Sequence, residues 1–190
     1  MGDEVLCVGE KGKSIYGLLG STVALLACQQ GTARPEPAKD IGVTAIAVIS
    51  GKQGESLGKV TLAQGPQGVL VSADLTGLPP GGHGFHIHGV GACSPDFSAA
   101  GRHFNPAEES HGFLYGIGQH AGDLPNIYAG LDGVARTDVF ISNVTLAEGE
   151  QDSLFDSDGS AIIVHEKPDA YGEDVGSAGS RIACGIIQRN

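Results

Sequence analysis

Six histidines and one aspartate stand in this chain at spacings that suit metal coordination. In "GFHIHGV" (84–90), His86 and His88 lie two residues apart. An extended strand alternates its side chains, so both imidazoles fall on one face and Ile87 on the other. The stretch "HFNPAEESHGFLYGIGQHAGD" (103–123) adds His103, His111, His120 and Asp123. His165, in "IIVHEK", ends an apolar run far down the chain.

Two ligand sets can be composed from this inventory. Four imidazoles, His86, His88, His103 and His165, make a nitrogen-only site of the kind that suits copper. His103, His111, His120 and Asp123 make a three-nitrogen, one-oxygen set suited to tetrahedral zinc. Both sets need His103. A neutral imidazole binds one metal through one nitrogen, whereas a deprotonated one can bind two. A bridging imidazolate at His103 therefore divides seven ligand residues into two four-coordinate sites. His83 has no partner at ligand spacing and reads as an ordinary structural histidine.

Short strands and the loops between them must hold these ligands. The runs at 43–50, 57–65, 68–77, 84–90, 138–149, 159–166 and 181–188 read as strands, with "GPQG" a tight connection between the second and third. Residues 91–137 carry weak strand signal and 167–180 almost none, and unstructured stretches this long in a compact domain are usually functional or disordered. With 31 Gly, 9 Pro and no Trp in 190 residues, the pattern predicts an all-β sandwich or Greek-key barrel. A formal charge of -11 argues against a general nucleic-acid binder, which needs a basic face to displace phosphate counterions.

The N-terminal residues read as lying outside that domain. Residues 14–27, "SIYGLLGSTVALLA", are uncharged and follow Lys11 and Lys13. A basic flank, a short apolar core and small residues at its end describe a secretory signal, and the run is too short to span a bilayer comfortably. The string "LLAC" (Leu25–Cys28) resembles a bacterial lipobox, in which Cys28 would be acylated and begin the mature chain. Asp3, Glu4 and Glu10 ahead of the lysines depart from the usual leading region of a signal. Translation starting downstream of Met1 would account for them. The expected organisation is a lipoprotein signal over 1–27, a linker over 28–41 and a β-domain over 42–190. Without residues 1–27 the chain keeps 9 basic and 19 acidic side chains, so the negative balance survives processing. Cys93 and Cys184 then form an even pair in an exported domain, open to a disulfide or to two buried thiols.

The motifs "GFHIHGVG", "AAGRHFNPAEESHG", "QHAGDLPNI", "LDGVA", "IIVHEKPDAYG" and "GSAGSRIACGII" closely resemble the copper–zinc superoxide dismutase family. They cover roughly residues 43–190 in family order. The resemblance implies an eight-stranded Greek-key β-barrel or flattened sandwich with two long functional loops. It implies copper on His86, His88, His103 and His165, and zinc on His103, His111, His120 and Asp123. It further implies Asp169 as the carboxylate linking His86 to His111, a Cys93–Cys184 disulfide, and Arg181 as the arginine that attracts and orients superoxide. The implied activity is an antioxidant one, converting superoxide to oxygen and hydrogen peroxide by Cu(II)/Cu(I) cycling. In that cycle the His103 bridge breaks on the copper side and the freed nitrogen takes a proton. The expected partners are superoxide, one copper and one zinc per chain, with membrane contact only through a lipid anchor at Cys28. The expected location is periplasmic or at the surface of a bacterial cell. Family members include dimers and monomers, so the resemblance leaves a homodimer open.

The chain departs from that pattern at Gly89, where an acidic residue often stands, and after His165. The segment from His165 to Arg181 is shorter than in well-known animal and plant members, and it offers Glu173 and Asp174 but no lysine after Lys167. Arg102, next to His103, reads first as an ordinary solvated side chain, with restoring some positive potential for an anionic substrate as the alternative. The alternative function is an exported copper-binding or buffering protein with little turnover, which has no need of Arg181 or a redox bridge. A zinc hydrolase is disfavoured, because the closed zinc set leaves no position for water.

Overall fold

The computed structural model describes residues 41–116 and 118–190, so the expected signal segment, Cys28 and the expected linker up to residue 40 lie outside the described residues. Eight strands run β1 (Thr44–Gly51), β2 (Ser56–Gly65), β3 (Gly68–Leu75), β4 (Gly81–His88), β5 (Asp123–Ala129), β6 (Ala135–Ile141), β7 (Ala161–His165) and β8 (Arg181–Arg189). All pairings are antiparallel, in the order β5-β4-β7-β8-β1-β2-β3-β6. The two end strands, β5 and β6, lie against each other, which makes the sheet a nearly closed barrel. The β3–β4 and β6–β7 connections each pass over intervening strands, as Greek-key crossovers do.

Period-two alternation explains most of this. Ala45, Ala47 and Ile49 of β1 and Val69, Val71, Ala73 and Leu75 of β3 all point into the barrel. β4 and β7 differ, because long loops cover their outer face. Every residue of β7 is buried, and so is β4 from His83 onward. Phe85 and Ile87 join the core, which sends His86 and His88 to the opposite, loop-covered side.

The strands at 43–50, 57–65, 68–77, 84–90, 159–166 and 181–188 form within a few residues of where the sequence places them. β5 is the exception: it lies in a stretch with little sequence signal for a strand. Pro125 interrupts its pattern, and it pairs only with β4 at one end of the order, where a missing N–H costs no ladder bond. The strand expected at 138–149 runs instead from Ala135 to Ile141. Beyond it Val144 and Leu146 still enter the core, held by a side chain rather than a ladder. Buried Gln64 accepts hydrogen bonds from the Leu146 N–H at 2.7 Å and the Thr145 hydroxyl at 3.1 Å.

Candidate metal centre

Two adjacent strands and one loop bring the first ligand set together. His86 and His88 project from β4, and His165 ends β7, with Phe85 opposite Val164 in the register. His103 reaches the same place from the loop, where it forms an isolated bridge with His88. The loop is stitched on through its backbone: Phe104 N–H donates to Ile87 O (2.9 Å), Ile87 N–H to Gly122 O (2.8 Å), and Gly122 N–H to Phe104 O (2.8 Å). Such an approach requires glycine at 122, since a Cβ there would lie 2.1 Å from Ile87 O. Asp123 then opens β5 directly opposite His86.

The four rings offer ligand nitrogens that all lie within 4.8 Å of one another. Ring centroids are 4.2 Å apart for His86–His103, 4.8 Å for His88–His103 and 4.9 Å for His86–His165. Three of the rings are hydrogen-bonded through one nitrogen. His88 Nδ1 donates to Gly101 O (3.0 Å), His165 Nδ1 to Gly179 O (3.1 Å), and His103 Nδ1 meets Asp123 Oδ1 (2.7 Å). His86 Nε2 lies 3.0 Å from Asp169 Oδ2. The opposite nitrogens, His86 Nδ1, His88 Nε2 and His165 Nε2, are buried with no hydrogen-bond partner. Buried polar atoms are rarely left so, and several converging orphaned acceptors fit a metal ion.

The second set is gathered around Asp123. Its Oδ1 is 2.7 Å from His103 Nδ1, 3.4 Å from His120 Nδ1 and 3.8 Å from His111 Nε2. The rings of His103, His111 and His120 form a near-equilateral triangle with centroids 5.2–5.4 Å apart. His103, His120 and Asp123 make the tight grouping, while the nitrogens of His111 group with His86 and Asp169. His111 Nε2 lies 3.0 Å from Asp169 Oδ2, and its Nδ1 meets Gly172 O at 2.7 Å. Asp169 thus stands between a ring of each set. His83 lies apart from both, with its ring nitrogens on His165 O and Pro79 O.

Burial prepares three of the rings as neutral donors. It holds His88 down at about 2, helped by the His103 and Arg181 charges. Burial, then the neighbouring His86, likewise hold His165 at about 4. His103 is also lowered to about 4 by burial, against the pull of its Asp123 hydrogen bond. Burial would raise the Asp123 carboxyl, but hydrogen bonds from His103, His120 and the Gly112 N–H hold it far below the carboxylate range. Asp169 is depressed in the same way, its burial outweighed by His86 and the Tyr171 N–H. At neutral pH His88, His103 and His165 are therefore neutral and Asp123 and Asp169 ionised, as metal binding requires.

A cavity of about 580 Å³ opens onto this cluster, lined by His88, His103, His120, His165 and Arg181, with exposed Arg102 at its side. Arg181, whose register partner is His165, is pinned by hydrogen bonds to Phe97 O (2.6 Å) and Gly101 O. A disulfide joins Cys93 to Cys184 with a Cα–Cα distance of 5.9 Å, tying the segment that carries those carbonyls to β8. Glu108 and Glu109 share the cavity and oppose the two arginines. Sequence reasoning missed Asn126, whose side chain pairs with the Asp169 backbone in both directions. Its importance depends on the position of β5, for which the sequence holds little signal.

Fold and site define a Greek-key β-barrel with a buried, histidine-rich metal centre. A family model described as copper/zinc superoxide dismutase (SODC) matches residues 56–187, and the chain belongs to that family. It is 44% identical over 143 residues to Cu-Zn superoxide dismutase 1 of Aquifex aeolicus (strain VF5), covering 74% of this chain and 85% of that one. It is 42% identical over 149 residues to the Cu-Zn superoxide dismutase of Caulobacter vibrioides, covering 76% and 86%. A crystal structure of a SOD-like protein from Bacillus subtilis superimposes with a TM-score of 0.71 at 35% identity, covering 75% of this chain and 97% of that one.

Proposed function

We propose that this protein dismutates superoxide, with copper held by His86, His88, His103 and His165 and zinc by His103, His111, His120 and Asp123. The observation that carries the reading is the convergence of three unpartnered buried ring nitrogens, two of them on rings hydrogen-bonded through the other nitrogen and the third on His86 beside Asp169, next to a pinned guanidinium. That donor set fits copper, and the aspartate-centred set fits zinc. Bound copper would supply and take up the single electron exchanged in each half-reaction, while zinc is redox-inert.

The chain's own groups do the rest. Arg181 keeps its charge in the cavity wall and draws in the anion, its fork held by two carbonyls. With its Nδ1 turned to the Asp123-centred set, His103 has its other nitrogen, Nε2, free to hold and yield a proton on the side of the copper set. Asp169 keeps His86 and His111 in register with each other. Two superoxide ions and two protons thus leave as oxygen and hydrogen peroxide.

The reading extends to the rest of the chain: residues 1–27 direct export, Cys28 is acylated, 28–41 is a linker, and 42–190 works outside the cytoplasm. The lipobox-like "LLAC" and the Cys93–Cys184 disulfide support it, since such bonds persist in oxidising compartments. A copper-holding protein with little turnover is the second reading, and the Bacillus subtilis relative, 37% identical over 143 residues, carries the name superoxide dismutase-like rather than superoxide dismutase. Arg181 favours the enzyme. Metal analysis of the protein and two variants tests the ligand assignment. One copper and one zinc per chain are expected, with copper lost selectively in His165→Ala and zinc in His120→Ala. Equal loss of both metals from each variant, or of neither, contradicts it.

A further inference from the structure

The segment after His165 does more than carry Asp169. Asn126 Nδ2 donates to Asp169 O (2.9 Å) and Asp169 N–H donates to Asn126 Oδ1 (2.7 Å), so this point of the loop is fixed to β5. Tyr171 N–H donates to Asp169 Oδ1 (2.7 Å), joined there by the Ser177 hydroxyl (3.1 Å). With Oδ1 engaged, Oδ2 is the oxygen that meets His86 and His111. The Tyr171 hydroxyl then accepts the Asn126 N–H at 2.7 Å. Its carbonyl accepts the Leu114 N–H (2.9 Å), and its ring meets Phe113 edge-on with centroids 5.3 Å apart. One residue therefore touches the Asp169 segment, strand β5 and the loop that carries His111.

Its backbone is also held in an unusual state. Tyr171 has φ +60, a left-handed conformation that a bulky residue keeps only where its surroundings over-determine it. The loop packs on it so closely that a Cβ at Gly112 would lie 2.5 Å from Tyr171 O. None of these contacts takes part in ligand chemistry, and Tyr171 is not a ligand in either set.

We propose that Tyr171 is a positioning residue that clasps the Asp169 segment to β5 and to the His111 loop, and so sets how tightly zinc is retained. The inference rests on the zinc ligand set proposed above. His111 comes from a long loop, and a loop ordered before the metal arrives loses less freedom on binding. Outer contacts of ligating histidines commonly change metal affinity by about 10- to 100-fold.

Two substitutions separate the parts of the clasp: Tyr171→Phe removes the hydroxyl, and Tyr171→Ala removes the ring as well. Zinc affinity is measured on the full chain by competition with a chromogenic chelator, and Co²⁺ serves as a spectroscopic probe of ligand geometry. Tyr171→Ala is expected to weaken zinc binding roughly tenfold or more and to shift the visible Co²⁺ bands, with Tyr171→Phe intermediate. Amide exchange at Asn126 and Leu114 should accelerate in the metal-free variants. The control Tyr128→Ala, at an exposed position of β5, should change neither metal readout. Zinc affinity within twofold of wild type and an unchanged Co²⁺ spectrum would overturn the clasp. If Tyr171→Ala does not fold, Tyr171→Phe decides by the same two readouts. A wild-type protein that takes up no zinc overturns the ligand set and the clasp with it. Zinc uptake without superoxide decay overturns only the activity.

Discussion

His103 and Asp123 meet Nδ1 to Oδ1 at 2.7 Å, so the imidazole common to both ligand sets is tied on one nitrogen and open on the side of His86, His88 and His165. That contact is the physical joint between the two halves of the centre. Asp123→Ala removes a proposed zinc ligand and the contact of the shared ring together. Zinc retention is expected to fall by at least about tenfold while copper stays bound, measured by metal analysis after dialysis against a chelator.

Arg181 and Arg102 are the arginines lining the cavity, in a chain whose net charge is -11. Arg181→Ala is expected to lower kcat/KM about tenfold or more and to flatten its dependence on ionic strength, with Arg181→Lys between the two. Exposed Arg102 contributes through the field alone, so Arg102→Ala should cost about twofold and Arg102→Glu more. An Arg102→Ala rate and salt dependence equal to wild type would show that Arg102 is an ordinary solvated side chain.

In the metal-free protein, acid should weaken the fold through its histidines. His103 and His165 are held at about 4 and His88 at about 2, all by burial first, against about 6.5 in an unfolded chain. As pH falls below about 6.5 the unfolded chain takes up protons that the folded one refuses, so stability declines toward pH 4. Above that range these groups contribute no pH dependence. The denaturant midpoint of the metal-free protein should be lower at pH 5 than at pH 7.5, and equal at pH 7.5 and 8.5.

The Cys93–Cys184 bond closes a separation of 91 residues and holds the segment whose carbonyls pin Arg181. Replacing both cysteines by serine should cost about 4.6 kcal/mol of stability in the chain-entropy view. It should also reduce the rate with both metals still bound, since the guanidinium loses its fixed acceptors. Chemical denaturation and a superoxide assay on the same preparation separate the two effects.

Most of this was legible in residue types and spacing. His86 and His88 at two-residue spacing fall on one face because β4 is extended, and the His103–Asp123 cluster needed only the loop to fold back on that face. β5 was not legible, because Pro125 breaks its alternation and its pairing with β4 is a long-range property. Asn126 was hidden for the same reason. Val144 and Leu146 look like a continuing strand in sequence, but they enter the core on the buried amide of Gln64 and the backbone bonds of Thr145 to Asp152 and Leu154. The division of His111 between Asp123 and Asp169 depends on ring orientation, which residue spacing does not encode.

The most direct test of the central claim is the decay of superoxide, followed after a radiolytic pulse, in the presence of protein carrying one copper and one zinc per chain. The account predicts decay first order in protein, at a rate constant approaching the diffusional range of about 10⁸–10⁹ M⁻¹s⁻¹ and falling as salt is added. Decay no faster than in buffer, with both metals bound at their sites, would contradict it.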